Sequence, residues 1–228
     1  TNTRPDTAER SIRFGRSCSI LVAGLAALAL WSWGAGGGQM FAFTPDYVPM
    51  APTTALCLAS LGMAIYLRTR SAVRLASLGL ATVAGLGGLL ASVRPWLGWA
   101  SPWEDWLAQN PDRIGDTPVG QMSPLTGVLL LVLAGACWLQ ACAPRPRSVG
   151  RWLAAGLAGL VLVAGGAVAA SYAVGKPWLY GGPVIPVALW TAMAFVLLGL
   201  GFLGGLKALD APAPSAPDGL TLTLAGLG

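Results

Sequence analysis

Residues Met122–Cys142 read Met-Ser-Pro-Leu-Thr-Gly-Val-Leu-Leu-Leu-Val-Leu-Ala-Gly-Ala-Cys-Trp-Leu-Gln-Ala-Cys, 21 positions without an Asp, Glu, Lys or Arg. A helix of that length, rising about 1.5 Å per residue, reaches across the roughly 30 Å hydrocarbon core of a bilayer. Working outward, five more uncharged runs repeat the pattern, so six spans are predicted at about 17–34, 49–67, 72–93, 122–142, 152–174 and 184–206. Only Arg74 falls inside one, in a first turn, where its long side chain snorkels to the headgroups. The expectation is an all-α integral membrane protein of six transmembrane helices. A cytoplasmic N-terminal tail, 1–16, precedes them and a cytoplasmic Pro/Ala-rich tail, 207–228, follows.

Composition points the same way. Of 228 residues 55% are hydrophobic and 10% charged, too few charges to cover a water-soluble surface, which carries about 25%. The net charge of +5 does not indicate nucleic acid, because the basic residues flank apolar runs and nowhere cluster among stacking aromatics. Histidine is absent, which removes the usual proton shuttle, the commonest metal ligand and the usual haem ligand. Cys18, Cys57, Cys137 and Cys142 lie in apolar stretches without a CxxC pair and read as small hydrophobes. The sequence therefore predicts no catalytic residue, no metal site and no cofactor other than lipid.

Basic residues set the orientation. With alternating spans, Arg4, Arg10, Arg13, Arg16, Arg68, Arg70, Arg74, Arg145, Arg147, Arg151 and Lys207 share one side. Arg94, Arg113 and Lys176 lie on the other, beside Asp46, Glu104, Asp105, Asp112 and Asp116. The positive-inside rule makes the first side cytoplasmic, and an even number of spans puts both termini there. Trp31, Trp33, Trp96, Trp99, Trp103, Trp106, Trp178 and Trp190 then fall at or beyond the outer interface, where amphipathic rings anchor helices. The first run has the basic flank of a signal peptide, but no small-x-small site in it gives a convincing cut and its removal would spoil the charge alternation, so it reads as a signal anchor.

The long outer loop, 94–121, holds Ser101-Pro102-Trp103-Glu104: an N-cap, a first-turn proline and a capping-box acid. A short helix over about 102–109 would put Trp103, Trp106 and Leu107 on one face. With Trp96 and Trp99 that face reads as an interfacial anchor lying on the membrane, or as a docking surface for a neighbouring protein.

The even-numbered spans begin alike. Met50-Ala-Pro-Thr-Thr54, Met122-Ser-Pro-Leu-Thr126 and Val187-Ala-Leu-Trp-Thr191 are each followed, eight residues after the last threonine, by a small residue: Gly62, Ala134 or Gly199. The odd spans begin at or just after Arg16, Arg74 and Arg151. The chain thus reads as three parallel copies of a two-helix hairpin. Thr54, Thr126 and Thr191 would sit near three outward-pointing helix N-termini and form a candidate outer pocket for a small anionic or hydroxylated ligand. The simpler reading is that the prolines start helices and the threonines bond back to the preceding turn.

These runs, "VPMAPTTALCLASLGMA", "MSPLTG…LLLVLAGA" and "VIPVALWTAMAFVLLGLG", resemble the N-terminal membrane region of bacterial sensor histidine kinases and diguanylate cyclases, over nearly all of 16–206. The resemblance implies a signal-input module in a bacterial inner membrane, ahead of PAS and output domains. These 228 residues include no PAS, kinase or cyclase region, and without histidine the chain cannot autophosphorylate as a histidine kinase does. The function expected first is therefore that of a non-enzymatic scaffold or accessory subunit. Its partners would be other membrane subunits of a larger, energy-transducing complex (respiratory or photosynthetic) and the lipid bilayer. A sensor input is the alternative. Transport is disfavoured by the lack of ionisable residues within the spans.

Overall fold

The computed structural model describes residues 4–36, 47–68, 73–99, 102–108, 113–114, 117–143, 148–178 and 185–209. Seven helices carry the fold: α1 (Arg4–Gly34), α2 (Pro52–Leu67), α3 (Arg74–Leu97), α4 (Pro102–Leu107), α5 (Pro124–Cys142), α6 (Val149–Ala173) and α7 (Leu189–Leu209). Five of them (α1, α3, α5, α6 and α7) are long and apolar enough to cross a membrane, so the chain is a helical, multi-pass membrane protein. Between α4 and α5, Arg113–Ile114 pairs antiparallel with Thr117–Pro118, a two-residue ladder that no sequence pattern announced.

Local chemistry sets the helix ends. Pro52 and Pro124 occupy first-turn positions after extended Ala51 and Ser123, where a missing N–H costs no helical bond. The sixth expected span, from 184, becomes helical only at Leu189; Ile185, just before Pro186, is held out of the helical region. Gly98, at φ +61°, ends α3 in the left-handed conformation that glycine adopts without strain.

Helix α1 starts at Arg4, well before the expected Ser17, so the segment expected as a tail is helical over most of its length. Pro5, Asp6 and Glu9 are what a helix start favours, and Glu9 pairs with Arg13 one turn on, at 2.6 Å. The outer-loop helix ends at Leu107; Ser101, Gln109, Arg70, Arg145, Arg147, Asp46, Asp112, Asp116 and the tail beyond Leu209 lie outside the described residues.

Packing sorts the helices into two classes. Helices α2, α5 and α7 touch one another in the centre. Around them, α1 lies against α7 and α2, α3 against α2 and α5, and α6 against α5 and α7. The fully buried large side chains follow the inner set: Leu58 and Leu61 on α2, Leu130 and Leu133 on α5, Phe195, Leu198 and Phe202 on α7. Leu75 and Leu86 on α3, and Leu153 and Val163 on α6, are exposed to the surroundings, which in a bilayer are acyl chains.

In lipid no hydrophobic force distinguishes helix contact from solvation, so close backbone approach carries the association. At the α3–α5 crossing a Cβ on Gly88 would run into the Gly127 carbonyl, and one on Gly127 into the Gly88 carbonyl. At the α6–α7 crossing a Cβ on Gly165 would stand 3.0 Å from the Ala192 carbonyl oxygen. Gly127 and Ala192 each follow a repeat threonine, Thr126 or Thr191, by one residue. The residues eight after the repeat threonines also face the outer helix that precedes them: Gly62 meets Ser19 and Val22, Ala134 meets Gly85, and Gly199 meets Ala158 and Leu162.

Gly88→Ala should therefore lower stability by about 1–3 kcal/mol, the usual range for overpacking. Gly156→Ala, where an added Cβ meets nothing within 4 Å, should be neutral or slightly stabilising. Thermal unfolding of both variants in detergent, followed by tryptophan fluorescence, checks the contrast.

Candidate functional site

Polar side chains gather at the two ends of the inner helices. At the end that carries α4, Glu104 is only 1% exposed, and donors surround its carboxylate. Its Oε1 accepts from Thr53 Oγ1 at 2.8 Å and from the Met122 backbone N–H at 3.1 Å, while its Oε2 pairs with Arg94. Arg94 also donates to the Met122 carbonyl at 3.3 Å. The anion thus sits at the starts of both α2 and α5, beside their positive dipole ends. Beside it Gln121 Nε2 donates to Asp105 Oδ1 at 3.1 Å, and Trp33 Nε1 donates to the Met50 carbonyl at 2.8 Å. Trp33 is buried against Ala108 and Val119 rather than standing in the outer aromatic belt. Gly120, at φ +90°, leaves the room that this packing needs.

Glu104 turns α4 into a rigid support. Glu104 and Ala108 face inward, while Trp103 and Trp106 are 49% and 77% exposed. Trp96 (88%) and Trp99 (59%) extend the same exposed rim from the end of α3. All four tryptophans singled out from the sequence therefore stand at the surface. Glu104, expected as a helix-capping acid, instead joins α4 to α2, α3 and the start of α5.

Thr54, Thr126 and Thr191 are each buried inside their helices. The polar cluster uses Thr53, one residue before Thr54, and the cavity beside it, about 70 Å³, is lined by Gly87, Arg94, Trp99, Trp103 and Glu104 among others. At roughly 30 Å³ per water it has room for about two.

The opposite end is built on guanidinium groups. Arg68, just past α2, donates to Gln140 Oε1 at 2.7 Å on α5 and to the Phe202 and Gly201 carbonyls at 2.5 and 3.4 Å on α7. It lies 4.1 Å from the centre of the Phe202 ring. A Cβ on Gly205 would collide with this guanidinium, so that glycine makes its seat. Arg74 donates to the Ala141 carbonyl at the end of α5, and Arg151 to the Leu206 carbonyl near the end of α7, at 3.0 Å. Each acceptor lies 15 residues after its repeat threonine, Thr126 or Thr191. Arg16 lies 5.6 Å above the Tyr66 ring in the last turn of α2. Cations at helix C-terminal ends complement the negative dipole ends there.

Sequence reading missed Glu104, Arg94, Thr53, Arg68 and Gln140 as interacting groups. One signal was available for the cluster around Glu104: Arg94 is a cation at the sparsely basic end, with Glu104 ten residues on. Nothing in the spacing pointed Arg68 at α7, because those partners are 133 and 134 residues away. Comparison of the chain with family models, curated proteins and solved structures found no match.

Removing one partner of the buried pair should be severe. Arg94→Leu alone should cost about 3–5 kcal/mol, and the double variant Arg94→Leu/Glu104→Leu less than the sum of the two single changes. Denaturant titration in mixed micelles measures the coupling. Arg68→Lys, which cannot reproduce the planar fork, should lose about 1.5–3 kcal/mol on the same scale.

Proposed function

We propose that this chain is a non-enzymatic scaffold subunit of a larger bacterial inner-membrane complex. It spans the bilayer six times as three parallel hairpins, with both termini in the cytoplasm. The observation that carries the reading is the outer rim of Trp96, Trp99, Trp103 and Trp106, large exposed aromatics held on a support that Glu104 locks. Rigid tryptophans are the side chains on which protein interfaces concentrate binding energy. Helix α6 adds a second face: at Gly156, Gly159 and Gly166 an added Cβ would meet nothing within 4 Å, so a helix of another subunit can approach the backbone there.

The sixth span in this reading is α2, whose 16 residues measure about 24 Å. Enclosed by its neighbours, it need not match the bilayer thickness unaided. The matching glycine crossings and the paired contacts of Arg74 and Arg151 support the hairpin repeat. The gathering of Arg10, Arg13, Arg16, Arg68, Arg74 and Arg151 at one end of the helices supports the orientation. An energy-transducing assembly, respiratory or photosynthetic, is the class of complex we assign.

Extraction in a mild detergent, native electrophoresis and mass spectrometry of the band should place this chain in a stoichiometric complex with several different membrane proteins. Trp96→Ala/Trp106→Ala should release it while leaving its helicity intact. A homodimer, or co-migration with a cytoplasmic kinase alone, would overturn the scaffold reading in favour of sensory input. Native Cys142, exposed at the end assigned to the cytoplasm, should resist a membrane-impermeant maleimide in intact cells and react once they are opened.

A further inference from the structure

A cavity of about 730 Å³ opens between the first half of α1, the start of α6 and the second half of α7. Its walls are apolar: Phe14 on α1, Leu200 and Leu203 on α7. Its rim is cationic. Arg10 and Arg151 both line it, and Trp152, largely exposed, stands beside Arg151 in the first turn of α6. That turn also brings the positive end of the α6 dipole to the rim. Arg151 is fixed there by its bond to the Leu206 carbonyl. Apolar walls, two guanidinium groups and an indole in one cleft match an acyl chain, an anionic headgroup and the glycerol level between them. Basic pockets between membrane helices hold anionic lipids by this combination.

We infer that the α1–α6–α7 cleft is a specific binding site for one anionic phospholipid, its phosphate against Arg10 and Arg151 and an acyl chain along Phe14, Leu200 and Leu203. A soluble phosphate satisfies only the rim and leaves the apolar walls bare, so the lipid is the occupant. The site needs only that the chain lie in a bilayer, and it would stand if the scaffold reading failed.

The test uses the full chain in nanodiscs of phosphatidylcholine containing a minor share of phosphatidylglycerol, transferred to detergent and analysed by native mass spectrometry. One phosphatidylglycerol should remain bound per chain, in preference to phosphatidylcholine. Arg10→Gln, a surface change, should reduce retention about fivefold, as expected for one interfacial cation. Ala155→Phe, which fills the cleft from α6, should abolish it; circular dichroism confirms that each variant keeps its helices. Equal retention of both lipids would overturn the proposal. So would undiminished retention by the folded Ala155→Phe protein, or displacement of the lipid by inorganic phosphate.

Discussion

One guanidinium joins the three inner helices. Arg68 leaves the end of α2, meets Gln140 of α5 and reaches the backbone of α7 at Gly201 and Phe202. In hydrocarbon an unsatisfied cation is costly, so a group that must be paired also dictates which backbones stand beside it. The rest of the packing accommodates that demand. Gly205 is bare where the guanidinium lies, and the Phe202 ring is turned beneath it. Glu104 and Arg94 do the corresponding work at the other end, with helix starts in place of helix carbonyls as partners.

Between these ends the bundle is held by shape. The Gly88–Gly127 approach and the contact of Gly165 with α7 bring backbones together where a single methyl group would collide. Such contacts gain strength because lipid fits poorly against small residues, and they fix axial position as well as distance. The α3–α5 and α6–α7 pairs keep the same register: Gly88 and Gly165 lie beside the residue after Thr126 or Thr191, and Arg74 and Arg151 reach a carbonyl 15 residues after that threonine. The α1–α2 pair shares the small-residue contact, Gly62 against Ser19 and Val22, and its arginine, Arg16, lies over the Tyr66 ring. The first half of α1 supplies Arg10 and Phe14 to the cleft against α6 and α7.

Much of the architecture was legible in the residue string, and the reason is physical. A span must be long, uncharged and helical at once, so five of the six expected runs, Met122–Cys142 among them, hold helices long and apolar enough to cross, while the run expected at 49–67 holds only the 16 residues of α2. Pro52 and Pro124 mark helix starts because a proline nitrogen has no hydrogen to lose. The exposure of Trp96, Trp99, Trp103 and Trp106 also followed, since large aromatics in a polar loop have few other places to go. What stayed hidden was pairing across sequence distance. Thr53 and Thr54 are indistinguishable in the string, yet the helix turn gives one hydroxyl to Glu104 and buries the other within the bundle. The tail before Ser17 misled because basic and acidic residues read as solvated coil, whereas Glu9 and Arg13 one turn apart make a helix.

The composition of the cluster around Glu104 carries a consequence for an energised membrane. A lone charge within the field experiences a force worth about 2.3 kcal/mol per 100 mV across the full thickness. Arg94 and Glu104 carry opposite charges in contact, so voltage does almost no net work on the pair. The support beneath the tryptophan rim therefore keeps its geometry whether the membrane is charged or discharged.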